Sequence, residues 1–400
     1  MRRHGWMLLV CCMIVGFLMA SAGQVSAKDV IRLGYSIALT GAYSAGAQGQ
    51  VEAYAVWEEI INKKGGLYVK EEGKKLPVKM VFYDDQSEPG TAARIYEKLI
   101  TEDKVDLILP PNNSTIHFAV APVSQKYKVP LVCGTASSIK LRTVKNDWLW
   151  YATSCMPDRQ SRALVDMLVD LKVKTATIAL PQEMFPREQL QFTEPYLKQA
   201  GIEILLIKDY PVAEKDLKTL LSQIKAKNPD AAIFLSYPGD TFTIVTQAQE
   251  VGLNPKFMFN LVGTAARSFQ PKFGAAAEGI AGMGNWSPKM NTYGNKEFVE
   301  TYQAKYKNLP DALNSIEGYK PLQIMEQAIE KAGTLNRDKI RDYIQNHEFG
   351  VVDGTAKFTG RENLAAVSGI LQWQKGSMEV IWPKNIATAK PLYPKPAWPK

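Results

Sequence analysis

The chain has 400 residues, of which 46 % are apolar and 22 % charged. It is therefore long enough to bury one or more cores, and it falls outside the disordered and collagen-like classes. The length predicts two or three domains. The formal charge of +8 falls to +6 when Arg2 and Arg3 are left out. Basic residues are interspersed with acidic ones and form no long run, which argues against nucleic acid as a partner.

Residues 1–27 have the pattern of a secretory signal peptide. Arg2 and Arg3 precede an apolar run over 6–20, and the segment ends in the small residues of Val25-Ser26-Ala27. The apolar run is shorter than the ~20 residues of a membrane span. The pattern predicts cleavage near Ala27 and a freely soluble periplasmic product.

Only Cys133 and Cys155 remain after that cleavage. In an oxidising compartment they could form one disulfide, or they could be two small buried thiols. Two cysteines do not make a disulfide framework in either case, so we expect folding to depend on hydrophobic cores.

From Val30 to Cys133, short apolar β-rich runs alternate with longer segments of helical period. This alternation predicts a parallel sheet covered by helices on both faces. It resumes after Tyr151, and the segments following Asp106 and Asp230 have similar character, each leading through a helix to a strand marked by proline. The sequence thus predicts an α/β fold of two doubly wound lobes.

After Gly279 the rhythm changes to helices at 295–306, 315–332 and 337–345, then a hairpin over 370–382. Late helices must cover faces that earlier units leave open, so we expect several crossings between the lobes, which favour a hinge. The predicted division is a signal peptide at 1–27, lobe 1 at 28–152 plus about 284–365, lobe 2 at 153–283 plus about 366–385, and an extended Pro-rich tail at 386–400.

Catalytic and metal-binding motifs are not found in the sequence. His117 and His347 lie 230 positions apart, in no metal-ligand spacing, and no phosphate loop or nucleophile elbow occurs. Nothing assembles a nucleophile, a base and an oxyanion site. We therefore expect a binding protein that is not an enzyme and needs no cofactor or metal.

Several stretches carry a family resemblance. They are Ile31-Arg32-Leu33-Gly34 with Leu39-Thr40-Gly41, residues 60–66, Tyr83 to Pro89, Asn112-Asn113-Ser114-Thr115, and Gly134-Thr135-Ala136-Ser137. In this order and spacing, residues 28–385 resemble the type I periplasmic solute-binding proteins of ABC importers, in the leucine/isoleucine/valine-binding branch. The resemblance implies two α/β lobes joined by three crossovers that close on a solute.

The resemblance also implies ligand-contacting residues. In this branch a serine after the third strand and a loop after the fourth hold the ligand carboxylate, which here indicates Ser114, Thr135, Ala136 and Ser137. Strand ends of doubly wound sheets and a helix N-terminus are suitable places for an anion. Ser114 could alternatively serve only as a helix cap. Aromatic family positions correspond to Tyr237 and Phe185, and Tyr43 and Tyr319 are further candidates for the cleft walls.

The sequence departs from the family pattern at one position of lobe 2. Amino-acid-binding members carry an acid that pairs the ligand ammonium, and Leu261 occupies that position here. A buried ammonium without a partner costs several kcal/mol. The departure predicts a carboxylate with an apolar or aromatic body and no α-ammonium, with Arg159 as a possible second anion contact. The usual family disulfide is missing, since Ser87 and Asn113 stand near its positions.

These observations give one leading hypothesis and two others. The leading hypothesis is the solute-binding subunit of an ABC importer, a monomer whose partners are a small carboxylate and an inner-membrane permease with its ATPase. An amino acid or amide remains an alternative solute. The other two are an exported sensory ligand-binding protein and an exported hydrolase acting through Ser114.

Overall fold

The computed structural model describes residues 28–399, so the predicted signal peptide lies outside the described residues. Its strands are β1 (Ile31–Ile37), β2 (Leu67–Val69), β3 (Lys74–Leu76), β4 (Val78–Asp84), β5 (Leu107–Ile108), β6 (Leu131–Cys133), β7 (Leu149–Tyr151), β8 (Thr175–Pro181), β9 (Glu203–Tyr210), β10 (Ala231–Phe234), β11 (Phe257–Asn260), β12 (Ile280–Met283), β13 (Glu348–Val351), β14 (Gly354–Thr359), β15 (Glu362–Asn363), β16 (Ile370–Gln374) and β17 (Ser377–Trp382).

The α-helices are α1 (Ser44–Lys63), α2 (Pro89–Thr101), α3 (Ser114–Tyr127), α4 (Pro157–Asp170), α5 (Met184–Gln199), α6 (Lys218–Lys227), α7 (Pro238–Val251), α8 (Phe269–Phe273), α9 (Asn295–Tyr306), α10 (Asn314–Ala332) and α11 (Arg337–Asn346). Within residues 28–399, no helix has the length and apolarity that crossing a membrane requires.

Lobe 1 is built on two ladders of strands. One has the order β4-β1-β5 and is parallel throughout, and the other has the order β13-β14-β15-β7-β6. In the second ladder β6, β7 and β15 are parallel, whereas β13 and β14 add an antiparallel edge. A separate hairpin of β2 and β3 lies beside α10.

Lobe 2 is built on one sheet with the order β17-β16-β12-β11-β10-β8-β9. Strands β8 to β12 are parallel, and every residue of β10, β11 and β12 is buried, as expected for strands covered on both faces. The hairpin β16–β17 closes one edge in antiparallel pairing. The fold is thus α/β with two lobes and parallel sheets, as the sequence predicts.

The described chain passes between the two lobes three times. The connections run from β7 to α4, from β12 to α9 and from β15 to β16. Several connections between two rigid lobes restrict their relative motion to a hinge. The residues after β17 lie along lobe 2, where Lys395 N–H donates to the Lys256 carbonyl at 2.7 Å and Trp398 Nε1–H to the Leu253 carbonyl at 2.8 Å.

Candidate functional site

A cavity of about 330 Å³ lies between the two lobes. This is near the lower end of the range for ligand pockets, about 300–1,000 Å³, and fits a small solute. Most of its lining comes from segments that follow the carboxyl ends of strands, among them β1, β5, β6, β8, β9 and β10, which is where doubly wound sheets place ligands. Of the residues predicted from the sequence, it brings together Tyr43, Ser114, Thr135, Ser137, Phe185 and Tyr237.

Ser114 is the first residue of α3, but it does not cap the helix. The cap is Asn113, whose Oδ1 accepts a hydrogen bond from Thr115 N–H at 2.8 Å. The capping alternative for Ser114 is therefore wrong. Ser114 Oγ instead accepts from Ser137 N–H at 3.0 Å, which leaves the Ser114 hydroxyl hydrogen available for an acceptor in the cavity.

The hydroxyl of Ser137 is held by a hydrogen bond to the first crossover, the connection between β7 and α4. Cys155 N–H donates to Thr153 Oγ1 at 3.1 Å, and Thr153 Oγ1 lies 3.0 Å from Ser137 Oγ. When Thr153 donates to Ser137, the Ser137 hydroxyl can donate onward. Two hydroxyl donors beside the N-terminus of α3 form a site that suits an anion without a cationic side chain.

Thr135 lines the cavity, but its hydroxyl is already used. Its Oγ1 lies 3.1 Å from the Pro111 carbonyl and 3.3 Å from Gln50 Oε1, both acceptors. A contact between a ligand and the Thr135 hydroxyl would need this hydrogen to rotate away. That contact stays a prediction.

Four predicted site residues do not line the cavity. Ala136 and Leu261 are fully buried, and the neighbour of Leu261, Val262, faces the cavity instead. Tyr319 packs on Phe298 in the core of lobe 1, with ring centroids 4.1 Å apart.

Arg159 also lies elsewhere, in a shallow groove of the outer surface. One guanidinium nitrogen is 2.9 Å from Glu362 Oε1, and another donates to the Asn363 carbonyl at 3.0 Å. Its charge is therefore neutralised by lobe 1, and the structure does not bring it to a cleft anion.

Lobe 2 lines the cavity with an aromatic wall and with acids. The rings of Phe185 and Tyr237 are 6.5 Å apart, and burial raises the pKa of Tyr237, so its phenol stays neutral. Glu183 and Asp240 line the same side. The inference from Leu261 that a ligand ammonium would find no acid in lobe 2 is therefore wrong, because these two acids face the cavity.

A local signal for these acids exists in the sequence. Glu183 stands two residues after the end of β8 and two residues before Phe185. Asp240 stands three residues after Tyr237, at the spacing of a capping box. Both positions follow strand ends, but only the tertiary structure shows that they face the cavity.

The floor of the cavity contains Cys155 and Glu317. Cys133 and Cys155 are both buried free thiols, so the disulfide alternative is not realised. Burial raises the pKa of both thiols, which keeps them protonated. Glu317 is paired with Lys320, with the two charged atoms 2.8 Å apart. Within residues 28–399, no group of three or more metal-ligating side chains is found.

The structure has two lobes joined by a hinge and a cavity between them. Hydrogen-bond donors for an anion lie at the strand ends that face this cavity. These features define a solute-binding protein. Residues 30–376 match the family model described as periplasmic binding protein. The chain belongs to this family, in its type I group of Leu/Ile/Val-binding proteins that serve ABC importers, and it is a binding protein and not an enzyme.

Relatives over the full length support this assignment. Leu/Ile/Val-binding protein homolog 8 of Brucella melitensis is 23 % identical over 404 residues, covering 95 % of this chain and 97 % of that protein. A solute binding protein of an ABC transporter from R. palustris, in complex with benzoate, has a TM-score of 0.76 at 16 % identity, covering 92 % of this chain and 98 % of that one.

A third similar structure carries a different ligand. It is the branched-chain amino acid transporter substrate binding protein LivJ from Streptococcus pneumoniae in complex with isoleucine, with a TM-score of 0.76 at 20 % identity, covering 89 % of this chain and all of that one. Both structural likenesses concern the fold.

Proposed function

We propose that this chain binds a small carboxylate with an apolar or aromatic body in the cleft and delivers it, as a closed complex, to an inner-membrane permease with its ATPase. The observation that carries the proposal is the pair of hydroxyls of Ser114 and Ser137 at the N-terminus of α3, opposite the wall of Phe185 and Tyr237. Solved relatives in complex with benzoate and with isoleucine have the same fold, and both ligands are carboxylates.

The proposed mechanism is closure of the lobes. A solute that contacts both lobes stabilises the closed state by its differential contacts. Lobe-to-lobe contacts support such a state: Arg267 of lobe 2 lies 2.9 Å from Glu52 Oε1 of lobe 1, and Ala312 N–H donates to the Ala265 carbonyl at 3.3 Å. The closed form would then present a continuous surface to the permease.

The cellular arrangement is part of the same proposal. Export through the leader at 1–27, cleavage near Ala27 and a periplasmic monomer fit the family to which the chain belongs. The division into lobe 1, lobe 2 and an extended tail, with the boundaries that the sequence predicts, is likewise our proposal for its domains.

Thermal unfolding and titration calorimetry with four matched probes test the solute class. Benzoate and 4-methylpentanoate should bind, whereas benzamide, which lacks the negative charge, should not. A ligand at about 100 times its Kd stabilises a protein by about 2.7 kcal/mol, which a thermal shift detects readily. Binding of benzamide as tight as that of benzoate would contradict the proposal.

A branched-chain amino acid is the second candidate, and the acids of lobe 2 favour it. Glu183 and Asp240 line the cavity and could pair an ammonium, although Leu261 does not. Leucine, the fourth probe, differs from 4-methylpentanoate by its α-ammonium. Tighter binding of leucine favours the amino acid, and tighter binding of 4-methylpentanoate favours the desamino acid.

Replacing Ser114 by alanine should weaken the binding of every carboxylate probe about 5- to 150-fold. The hydroxyl is a donor to the ligand anion, and such hydrogen bonds contribute about 1–3 kcal/mol. Calorimetry of S114A measures the change, and S222A, on the exposed face of α6, is the matched control. An unchanged Kd in S114A would remove Ser114 from the site.

Replacing Glu188 by alanine should weaken the same probes about 5- to 30-fold. Glu188 is a buried residue of lobe 2, and its carboxylate accepts from Ser138 Oγ–H at 2.8 Å and Ile139 N–H at 3.1 Å in lobe 1, next to Ser137. Loss of two bonds that form across the cleft reduces the stability of the closed state.

Small-angle scattering with and without benzoate checks this effect, since E188A should need more ligand to reach the compact form. E194A is the control, because Glu194 lies on the same helix and pairs within that helix with Lys198, 2.6 Å away. Equal Kd values for E188A and E194A would contradict the role of Glu188.

A further inference from the structure

A buried histidine lies one turn after Ser114, on the same helix. His117 is fully buried, and its Nδ1 lies 2.7 Å from the Asn113 carbonyl oxygen. Because a carbonyl is only an acceptor, Nδ1 carries the proton and donates it. Nε2 is then an acceptor, and it is buried without a hydrogen-bond partner among residues 28–399. An apolar side chain would avoid the cost of that unpartnered atom, so the imidazole is useful here only through Nδ1–H.

The residue that His117 holds has an unfavourable backbone conformation. Asn113 has a φ of 71° and a ψ of 141°, a combination that residues with a Cβ rarely adopt. Its carbonyl accepts from both His117 Nδ1–H and His117 N–H, the second at 3.2 Å, and its side chain accepts from Thr115 N–H. Such a conformation persists only where the surrounding structure holds it, and it occurs most often at functional sites.

Side-chain donors also hold the loop between β5 and Asn113. Pro110 and Pro111 have no backbone N–H with which to join a strand ladder. The carbonyls of Leu109, Pro110 and Pro111 accept from side chains at 2.6–3.2 Å: Tyr96 donates to the first, Tyr54 and Gln50 to the second, and Gln50 and Thr135 to the third. His117 completes this set of donors at the last residue before α3.

The bond from His117 acts on Ser114 through the backbone. The Asn113 carbonyl and the Ser114 N–H belong to one planar peptide unit, so a bond that fixes the carbonyl also fixes the start of Ser114. Ser137 N–H holds the side chain of the same residue, because it donates to Ser114 Oγ at 3.0 Å. His117 itself does not line the cavity. Any effect of His117 on a solute must therefore pass through these neighbours.

We infer that His117 is a positioning residue of the anion site: its Nδ1–H holds the Asn113 carbonyl and thereby directs the Ser114 hydroxyl towards the solute carboxylate. The inference rests on the proposed function and adds to it a residue that never touches the solute. A donor that is already held in place loses little freedom when it binds, so removal of the bond from His117 weakens binding.

Calorimetry with benzoate at pH 7.5 tests the inference on the variants H117L and H117N. Leucine fills the space of the ring but has no donor, whereas the amide nitrogen of asparagine takes the place of Nδ1. H117L should weaken the binding of benzoate about 5- to 30-fold, and H117N should change the Kd by less than threefold. Methionine, a flexible side chain without a donor, replaces leucine if H117L does not fold.

A double-variant cycle with S114A separates positioning from a general structural role. Because His117 acts through Ser114, H117L should change the Kd by less than twofold when residue 114 is already alanine. S124A is the control, since Ser124 is a buried residue of the same helix whose hydroxyl donates to the Ala121 carbonyl at 3.0 Å. S124A should lower the unfolding temperature and leave the Kd unchanged.

The outcomes separate the inference from the proposed function. A native Kd in H117L, an H117N protein that binds as weakly as H117L, or an equal loss in both backgrounds overturns the role of His117 and leaves the carboxylate proposal intact. If neither benzoate, 4-methylpentanoate nor leucine binds the native protein, the proposed function fails and the inference fails with it.

Discussion

Replacing Lys320 by methionine is expected to lower the free energy of unfolding by about 3–5 kcal/mol, the cost of breaking a buried ion pair by removing one partner. Lys320 Nζ lies 2.8 Å from Glu317 Oε2 and 2.9 Å from Asp353 Oδ2, and all three side chains are at most 4 % exposed. Burial lowers the pKa of Lys320, but the two carboxylates outweigh it and the net change is upward, so the amine stays charged. Methionine would leave two buried carboxylates without their cation.

This charge cluster also joins the three segments that cross between the lobes. Ser154 of the first crossing donates to Glu317, Asn285 of the second donates to Asp353 at 3.0 Å, and Ser368 of the third donates to the Ser154 carbonyl. The hinge is thus fixed by one polar network beneath the cavity, and the variant should loosen it as well as destabilise the fold.

Urea unfolding at pH 7.5 measures the effect. K331M is the matched control, because Lys331 is on the same helix but exposed, and it should change stability by less than about 0.5 kcal/mol. The triple variant E317Q/K320M/D353N removes the stranded charges and should recover part of the loss. A K320M protein as stable as K331M would show that the cluster does not stabilise the fold.

Much of the fold follows from local sequence patterns. The alternation of apolar strands with helices predicts the two parallel sheets, and the predicted helices at 295–306 and 337–345 match α9 and α11 to within one residue. The starts of α5 and α7 are less well predicted. The structure begins them at Met184 and Pro238, whereas a helical pattern in the sequence begins only near residues 188 and 241. Their first turns face the cavity and lack the regular apolar spacing of a core-facing helix.

Short strands with distant partners are missed for a different reason. β15 has two residues and pairs with β14 and with β7, which lies more than 200 positions earlier in the chain. Two residues carry no periodicity, so only the assembled sheet defines such a strand. For the same reason, the sequence does not predict that the strands of lobe 1 form two separate ladders.

The candidate site shows the same division between local and tertiary information. Strand ends are predictable, and Ser114, Ser137, Phe185 and Tyr237 do line the cavity. Beyond a strand end, however, the sequence does not show which of two adjacent residues faces the cavity, because this depends on the direction that the chain takes after the strand. A shift of one position separates the buried Leu261 from Val262 in the cavity wall.

Acidification from pH 7.5 to pH 5 should cost the protein about 2 kcal/mol of stability through His117 alone. Burial lowers the pKa of this fully buried histidine from 6.5 to about 4, and its hydrogen bond to the Asn113 carbonyl offsets part of the effect. Nδ1 lies 2.7 Å from that carbonyl and so carries the proton, whereas Nε2 is buried without a partner among the described residues. Protonating Nε2 would bury an N–H with no acceptor.

The sign follows from proton linkage. Between pH 4 and 6.5 the unfolded chain binds more protons at His117 than the folded one, so this contribution is complete above pH 6.5 and is lost as the pH falls towards 4, reaching about 3 kcal/mol in all. Glu326 and Asp311 act in the opposite direction, because burial raises their pKa values to about 7 and about 6 and folding then favours their protonation. The total pH dependence therefore does not isolate His117, and a variant is needed.

Urea unfolding of H117Q at pH 7.5 and pH 5 isolates the contribution of His117. Glutamine does not titrate in this range, so the difference in stability between the native protein and H117Q should move by about 2 kcal/mol in favour of the variant on going to pH 5. The change in this difference, and not its value at either pH, is the quantity to compare, because a buried amide has its own cost at both. A difference between H117Q and the native protein that is the same at both pH values would mean that His117 takes up its proton in the folded protein as readily as in the unfolded chain.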